Sequence, residues 1–213
     1  MTAIYYTQCK QLPDHAFEEA VFLLPIEMQQ KIRKYSRWQD AHACLYGNLL
    51  LKEAISQLGY DYSLELIQKT KYGKPYFKDS DFGFNISHSG EYIVCVISTD
   101  EKQNLGIDIE ENKPIALEGF MNIFTEEEQK EIGEQDNFYT FWTRKEAIAK
   151  ADGRGMLIPF DTINTLSLSV QLDNKEYNLY EVDIDQNYTI YIAASVSLGN
   201  DIKYFYKDPG SLY

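Results

Sequence analysis

Apolar positions along the chain change period several times, and each change predicts an element. IYYTQ (residues 4–8) is a short run of β-branched and aromatic residues and reads as a strand. Residues 14–24 read as helical. A second helix is predicted over residues 25–35, PIEMQQKIRKY, with Pro25 at a helix start and basic residues near the end, as the helix dipole favours. RWQDAHACLYGNLLLKEAISQLG (residues 37–59) spaces its apolar residues for a long helix and closes on Gly59. SLELIQ reads as a strand and KYGKPYF as a turn with two lysines. GFNISHSG and EYIVCVIS are two strands around a Ser-Gly turn, and LGIDIEE is a further strand. ENKPIAL, with Pro114, is a linker. FTEEEQKEI places Thr125 three residues before Glu128, a capping-box helix start. NFYTFWTRKEAIAKADGRG is a strong helix stopped by Gly153 and Gly155. INTLSLSVQL, EYNLYEVDI, NYTIYIAASVS and IKYFYK complete the chain as strands.

The order of elements repeats. A helix opening on aromatic and charged residues (RWQDAHA, then FWTRKEA) is followed by strands that end in a hairpin-like run (EYIVCVIS, then NYTIYIAASVS). This predicts an α+β fold of two similar lobes, divided near residues 105–115, with a site in the cleft between them.

Composition narrows the picture. The chain has 213 residues, 44% of them hydrophobic, enough for a substantial core. A net charge of −13 argues against a general nucleic-acid partner, whose phosphates demand basic surface. Cys9, Cys44 and Cys95 are scattered, which gives neither a zinc pattern nor a disulfide framework and fits a reducing cytoplasm. The first residues lack the features of a secretory signal, and no apolar run is long enough to span a membrane.

Four stretches could carry chemistry. In LGIDIEE, Asp108 and Glu110 share one face of the strand while Ile107 and Ile109 share the other. Two such carboxylates either face water or hold a cation. In FWTRKEAIAK, Glu146 and Lys150 are neighbours on a helix; they are either a surface ion pair or, since Trp142, Ile148 and Ala149 place Glu146 at the edge of the apolar stripe, part of a site. His88, between Ser87 and Ser89, is either structural or functional; with only three histidines in the chain, a histidine metal cluster is disfavoured. No G-x-S-x-G elbow supports a serine hydrolase, and no Walker or G-x-G-x-x-G loop is present. Lys31, Arg33, Lys34 and Arg37 cluster, as do Lys69, Lys71 and Lys74, and either solubilise the surface or hold phosphate. Three carboxylates as an all-oxygen donor set suit Mg²⁺, and the lysines and His88 suit the rest of a polyphosphate. Together they suggest phosphoryl chemistry on a small molecule containing a diphosphate.

RWQDAHACLYGNLLL, KYGKPYF, FNISHSGEYIVCVIS, LGIDIEE and FYTFWTRKEAIAKADGRGM, in that order from Arg37 to Met156, resemble the surfactin-type 4′-phosphopantetheinyl transferases. The chain length suits the two-lobed, monomeric type. The resemblance implies that the phosphopantetheine arm of coenzyme A moves to a serine of an acyl- or peptidyl-carrier protein, with release of adenosine 3′,5′-bisphosphate. It implies Asp108, Glu110 and Glu146 as ligands of Mg²⁺ or Mn²⁺, and Glu146 and Lys150 as the catalytic pair. It further implies Lys31, Lys74, Pro75, Ser87, His88 and Lys150 as coenzyme A contacts. The lobes are expected at 1–105, contacting coenzyme A phosphates, and 106–213, carrying the metal and catalytic residues and the carrier-protein wall. No nucleic acid and no membrane are expected. Where similar enzymes carry another basic residue one turn before Lys31, this chain has Met28. Two other readings use the same residues: a Mg²⁺-dependent hydrolase of a nucleotide diphosphate, and a non-catalytic homologue that binds coenzyme A or a carrier.

Overall fold

The computed structural model describes residues 1–135, 137–199 and 201–213, and the side chains of all of these except 133–135. In chain order the elements are β1 (Thr2–Gln8), α1 (Asp14–Phe22), α2 (Ile26–Ile32), α3 (Trp38–Gln57), β2 (Ile67–Lys69), β3 (Pro75–Phe77), β4 (Gly83–Ser89), β5 (Tyr92–Ser98), β6 (Leu105–Glu111), α4 (Glu126–Gln135), α5 (Phe138–Asp152), β7 (Ser169–Leu172), β8 (Lys175–Glu181), β9 (Tyr188–Ala194) and β10 (Ile202–Tyr206). The predicted capping box forms: the Thr125 N–H donates to Glu128 Oε2, and the Glu128 N–H to Thr125 Oγ1. Gly153 ends α5 in the left-handed conformation at φ 91°, which a side chain would strain.

Two four-stranded sheets carry the fold, in the orders β10-β1-β5-β4 and β6-β9-β8-β7. The predicted repeat is present in their connectivity. β1 pairs antiparallel with β5, which pairs with β4; β6 pairs antiparallel with β9, which pairs with β8. Helix α3 packs on the first sheet and α5 on the second.

Three expectations change. SLELIQ starts as a 3₁₀ turn, because the Ser63 hydroxyl accepts the Glu65 N–H; only Ile67–Lys69 extends. Of INTLSLSVQL, only Ser169–Leu172 is strand. IKYFYK does not stay with its own half: β10 crosses to the first sheet and pairs parallel with β1, Thr2 opposite Ile202 and Tyr6 opposite Tyr206.

Strand alternation sorts the core into layers. Ala3, Tyr5, Ile93 and Cys95 face α3. On the other face of the same strands, Ile4, Val94 and Val96 meet Ile107, Ile109, Ile190 and Ile192 of the second sheet. The layers therefore run helix, sheet, sheet, helix. The isoleucines of LGIDIEE point between the sheets and are fully buried, which leaves Gly106, Asp108 and Glu110 facing α5. Gly106 makes that approach possible, since an added Cβ would lie 2.2 Å from the Ala147 carbonyl oxygen and 2.4 Å from the Ala151 nitrogen. On its far side α5 is clasped by a buried ion pair, Lys145 Nζ to Glu128 Oε2 at 2.6 Å, and the same ammonium donates to the carbonyls of Phe160 and Ile163. Among the described residues no helix is long and apolar enough to cross a membrane.

Candidate active site

The two halves meet where β4 runs beside β6. Instead of a backbone ladder, polar side chains at every second position of β4 reach across. Asn85 Oδ1 accepts the Ile107 N–H at 2.9 Å, and Ser87 Oγ donates to Asp108 Oδ1 at 2.9 Å. Ser89 Oγ donates to Glu110 Oε2 at 3.1 Å and accepts the Glu111 N–H at 3.1 Å. FNISHS thus divides its faces: Asn85, Ser87 and Ser89 form the seam, while Phe84, Ile86 and His88 line a cavity.

Helix α5 completes the site. Lys150 Nζ lies 2.6 Å from Asp108 Oδ1 and donates to Ser87 Oγ at 2.7 Å. Trp142 Nε1 donates to Glu110 Oε1 at 2.8 Å. Trp142, Glu146 and Lys150 recur every four residues and so present one face of the helix to β6. Burial raises the carboxyl pKa of Asp108, against the opposing pull of Lys150 and Ser87. It raises Glu110 as well, helped by the charge of Asp108 and opposed by Trp142 and Ser89. Glu146 is pushed up to about 7, first by burial and then by Asp108, with Lys150 opposing and Glu110 adding. All three carboxyl pKa values are raised, chiefly by burial, with Asp108 adding to Glu110 and to Glu146.

Their fit to a cation follows from the donors. All are carboxylate oxygens, the set Mg²⁺ takes. Among the described residues Asp108 Oδ2 is buried without a hydrogen-bond partner. The Glu110 oxygens each accept one hydrogen bond and keep a lone pair. Among the described residues no three His, Cys, Asp or Glu side chains form a ready-made metal cage. The three acids are therefore suitable donors that still have to converge on the ion.

A cavity of about 620 Å³ lies between α2, α3 and the β2–β3 hairpin, with Lys31, Lys69, Pro75 and His88 among its walls. A smaller one, about 300 Å³, is bounded by Arg37, Asp40 and Tyr92 of the first half and Lys113 of the second. His88 borders both. Desolvation and the nearby Lys150 charge lower its pKa, which favours the neutral imidazole at pH 7. Lys74 behaves differently from its neighbours: its ammonium donates to the carbonyls of Gln103, Leu105 and Ala151.

Of the residues singled out in the sequence, Ser87, Asp108, Glu110, Glu146 and Lys150 come together at the seam, and Lys31, Pro75 and His88 line the larger cavity. Sequence reasoning passed over Asn85, Ser89 and Trp142 as site members. The signal was the polar residues at alternate positions of FNISHS, and a tryptophan one turn before Glu146.

Comparison with known proteins identifies the family. The family model described as 4′-phosphopantetheinyl transferase, N-terminal, matches residues 12–100, and that of the 4′-phosphopantetheinyl transferase superfamily matches residues 104–193. The 4′-phosphopantetheinyl transferase Sfp of Bacillus subtilis (strain 168) is 32% identical over 189 residues, covering 82% of this chain and 83% of its own. The 4′-phosphopantetheinyl transferase gsp of Aneurinibacillus migulanus is 32% identical over 191 residues, covering 84% and 79%. The L-aminoadipate-semialdehyde dehydrogenase-phosphopantetheinyl transferase of Schizosaccharomyces pombe is 33% identical over 172 residues, covering 70% and 66%. The chain belongs to the 4′-phosphopantetheinyl transferase superfamily.

Proposed function

We propose that the protein transfers the 4′-phosphopantetheine arm of coenzyme A to a serine of an acyl- or peptidyl-carrier protein and releases adenosine 3′,5′-bisphosphate. The observation that carries this reading is the seam itself. Lys150, Ser87 and the three acids, all with raised pKa values, stand together at the junction of the halves, beside a cavity that His88 lines. In this reading the lobes are residues 1–105 and 106–213, with β10 of the second added to the sheet of the first, and the active site lies in the cleft between them.

The nucleotide end of coenzyme A sits in the larger cavity, its phosphates toward Lys31, His88 and Ser87, with Pro75 as wall. Asp108, Glu110 and Glu146 would hold Mg²⁺, or Mn²⁺ by the same oxygen chemistry, and the ion supplies charge neutralisation at the diphosphate. Lys150 stabilises the negative charge that grows on the departing bisphosphate. Glu146, or a water it positions, takes the proton of the attacking serine. The serine oxygen forms its bond to the phosphorus bearing the pantetheine arm as the bond to the adenosine-side phosphate breaks, so no enzyme-bound intermediate is needed. The chain's own thiols fit that economy. Burial raises the pKa of Cys44, which faces the cavity, and of Cys9, up to about 11, so neither is an activated nucleophile. The protein acts as a monomer in the cytoplasm.

The test is incubation of a panel of apo-carrier proteins with coenzyme A and Mg²⁺, followed by intact mass. Each modified carrier gains one phosphopantetheine arm. Coenzyme A breakdown with no carrier modified would favour a hydrolase; binding without turnover on any carrier would favour a non-catalytic homologue.

A further inference from the structure

Lys74 sits between two residues that line the larger cavity, Gly73 and Pro75, yet its side chain leaves that cavity and crosses to the other half. Nζ donates to the Ala151 carbonyl at 2.7 Å, to Gln103 at 2.8 Å and to Leu105 at 3.1 Å. An ammonium has three protons, and here all three are used. The acceptors come from three pieces of backbone: the last turn of α5, the connection into β6, and the first residue of β6 itself. The Ala151 carbonyl belongs to the last turn of its helix, where carbonyls lack intrahelical partners and positive charge is favoured. The lysine stem packs on the same helix end, since a Cβ added to Gly153 would lie 3.0 Å from Lys74 Cδ. Its own loop is tied in turn: the Lys74 N–H donates to Thr70 Oγ1 at 3.2 Å, and its carbonyl accepts the Thr70 N–H at 2.9 Å.

These contacts make one mechanical unit of the cavity wall and the two elements that carry the site's charges. Asp108 and Glu110 follow Leu105 along β6, and Glu146 and Lys150 precede Ala151 along α5. We propose that Lys74 is a positioning residue, a strut between the halves that holds the start of β6 and the end of α5 in register with a nucleotide seated against Gly73 and Pro75. This rests on the transferase reading for the identity of the nucleotide. It departs from the coenzyme A contact that family resemblance implies for this side chain: the backbone around Lys74 borders the cavity, while its charge is committed elsewhere.

The two roles separate in kinetics. Lys74→Met is assayed for carrier modification at varied coenzyme A, with melting of the ligand-free protein alongside. A strut predicts kcat down by about 10-fold or more, with the KM for coenzyme A within about twofold of wild type, because misplacing the reacting groups costs rate and leaves ground-state binding alone. A raised KM with kcat intact makes Lys74 a phosphate ligand and overturns the proposal. Lower melting temperature with both constants unchanged makes it merely structural and also overturns it. Should Lys74→Met fail to fold, Lys74→Arg, which keeps charge and donors, is expected to show the same split at smaller size, and a raised KM with intact kcat there is equally fatal. Hydrogen exchange of the ligand-free protein keeps the strut distinct from the reading it rests on. Backbone amides of residues 103–106 and 149–153 should exchange faster in the variant even if the wild type modifies no carrier; unchanged exchange refutes the strut alone.

Discussion

The two halves share one frame and put opposite things in it. On α3, Trp38, His42 and Tyr46 follow one another at four-residue steps; on α5, Trp142, Glu146 and Lys150 do the same. The strands beneath correspond as well. β1 turns Ala3 and Tyr5 toward its helix, where β6 turns Gly106 and Asp108. In the first half the His42 ring and the Tyr46 hydroxyl have backbone partners. His42 Nε2 accepts the Leu12 N–H at 3.0 Å, its Nδ1 lies 2.9 Å from the Trp38 carbonyl, and the Tyr46 hydroxyl donates to the Lys10 carbonyl at 3.1 Å. Desolvation lowers the His42 pKa, which favours the neutral ring at pH 7. In the second half the position equivalent to His42 holds Glu146, whose pKa is raised by burial and by Asp108 on the strand beneath, and among the described residues Asp108 Oδ2 is buried without a hydrogen-bond partner. A satisfied polar group stabilises a fold; an unsatisfied, like-charged cluster destabilises it and is kept for what it binds.

The sharpest way to break this comparison is to neutralise the second half. Asp108→Asn and Glu146→Gln should each reduce carrier modification by about 10²–10³-fold, the scale of losing a charge aimed at the reaction. Melting of the metal-free protein should not fall for Glu146→Gln, because a carboxyl already held near neutrality is replaced by a neutral amide. Near-wild-type turnover by Asp108→Asn would remove the chemistry from this seam.

The first half should answer in the other currency. His42→Leu leaves the Leu12 N–H unpaired and ends the stack with Phe17, whose ring centroid lies 4.6 Å away. The expected cost is about 1–3 kcal/mol of stability by denaturant unfolding, with kcat unchanged. A large fall in kcat at full stability would show that the trio on α3 is not the structural counterpart of the trio on α5.

This contrast also explains what was legible in the sequence. The strand LGIDIEE, the capping box at Thr125 and the Gly153 stop were readable because each rests on contacts a few residues apart. The repeat was readable because connectivity follows element order. The seam was only half readable. Asp108 and Glu110 share a face by strand period alone, but that Asn85, Ser87 and Ser89 bind along β6 depends on how two sheets pack. The reach of Lys74 to Ala151 spans the whole layered structure, and no local period encodes it. β10 was a clear strand with an unreadable address, since its pairing with β1 joins the two ends of the chain.

The smallest expected effect tests the raised carboxyl pKa values directly. The Glu146 carboxyl has its pKa raised from 4.5 to about 7 in the fold. Between those values the folded chain binds more protons than the unfolded one, so stability contributed by the protonated carboxyl is lost as pH rises through the window. For the metal-free protein this amounts to about 2 kcal/mol lost between pH 4.5 and 7. Asp108 and Glu110 are shifted the same way and add to the slope. Glu146→Gln should flatten the curve of denaturation midpoint against pH and raise its upper end. Mg²⁺ should flatten the wild-type curve more than that of Glu146→Gln, because a cation favours the ionised carboxylates. The His42→Leu curve should lie below the wild type and fall more steeply as pH rises toward 6.5, because the lowered His42 pKa contributes stability that grows with pH and the variant lacks it. A Glu146→Gln curve with the wild-type slope across this window would mean that Lys150 already neutralises the cluster, and that the second half is as well satisfied as the first.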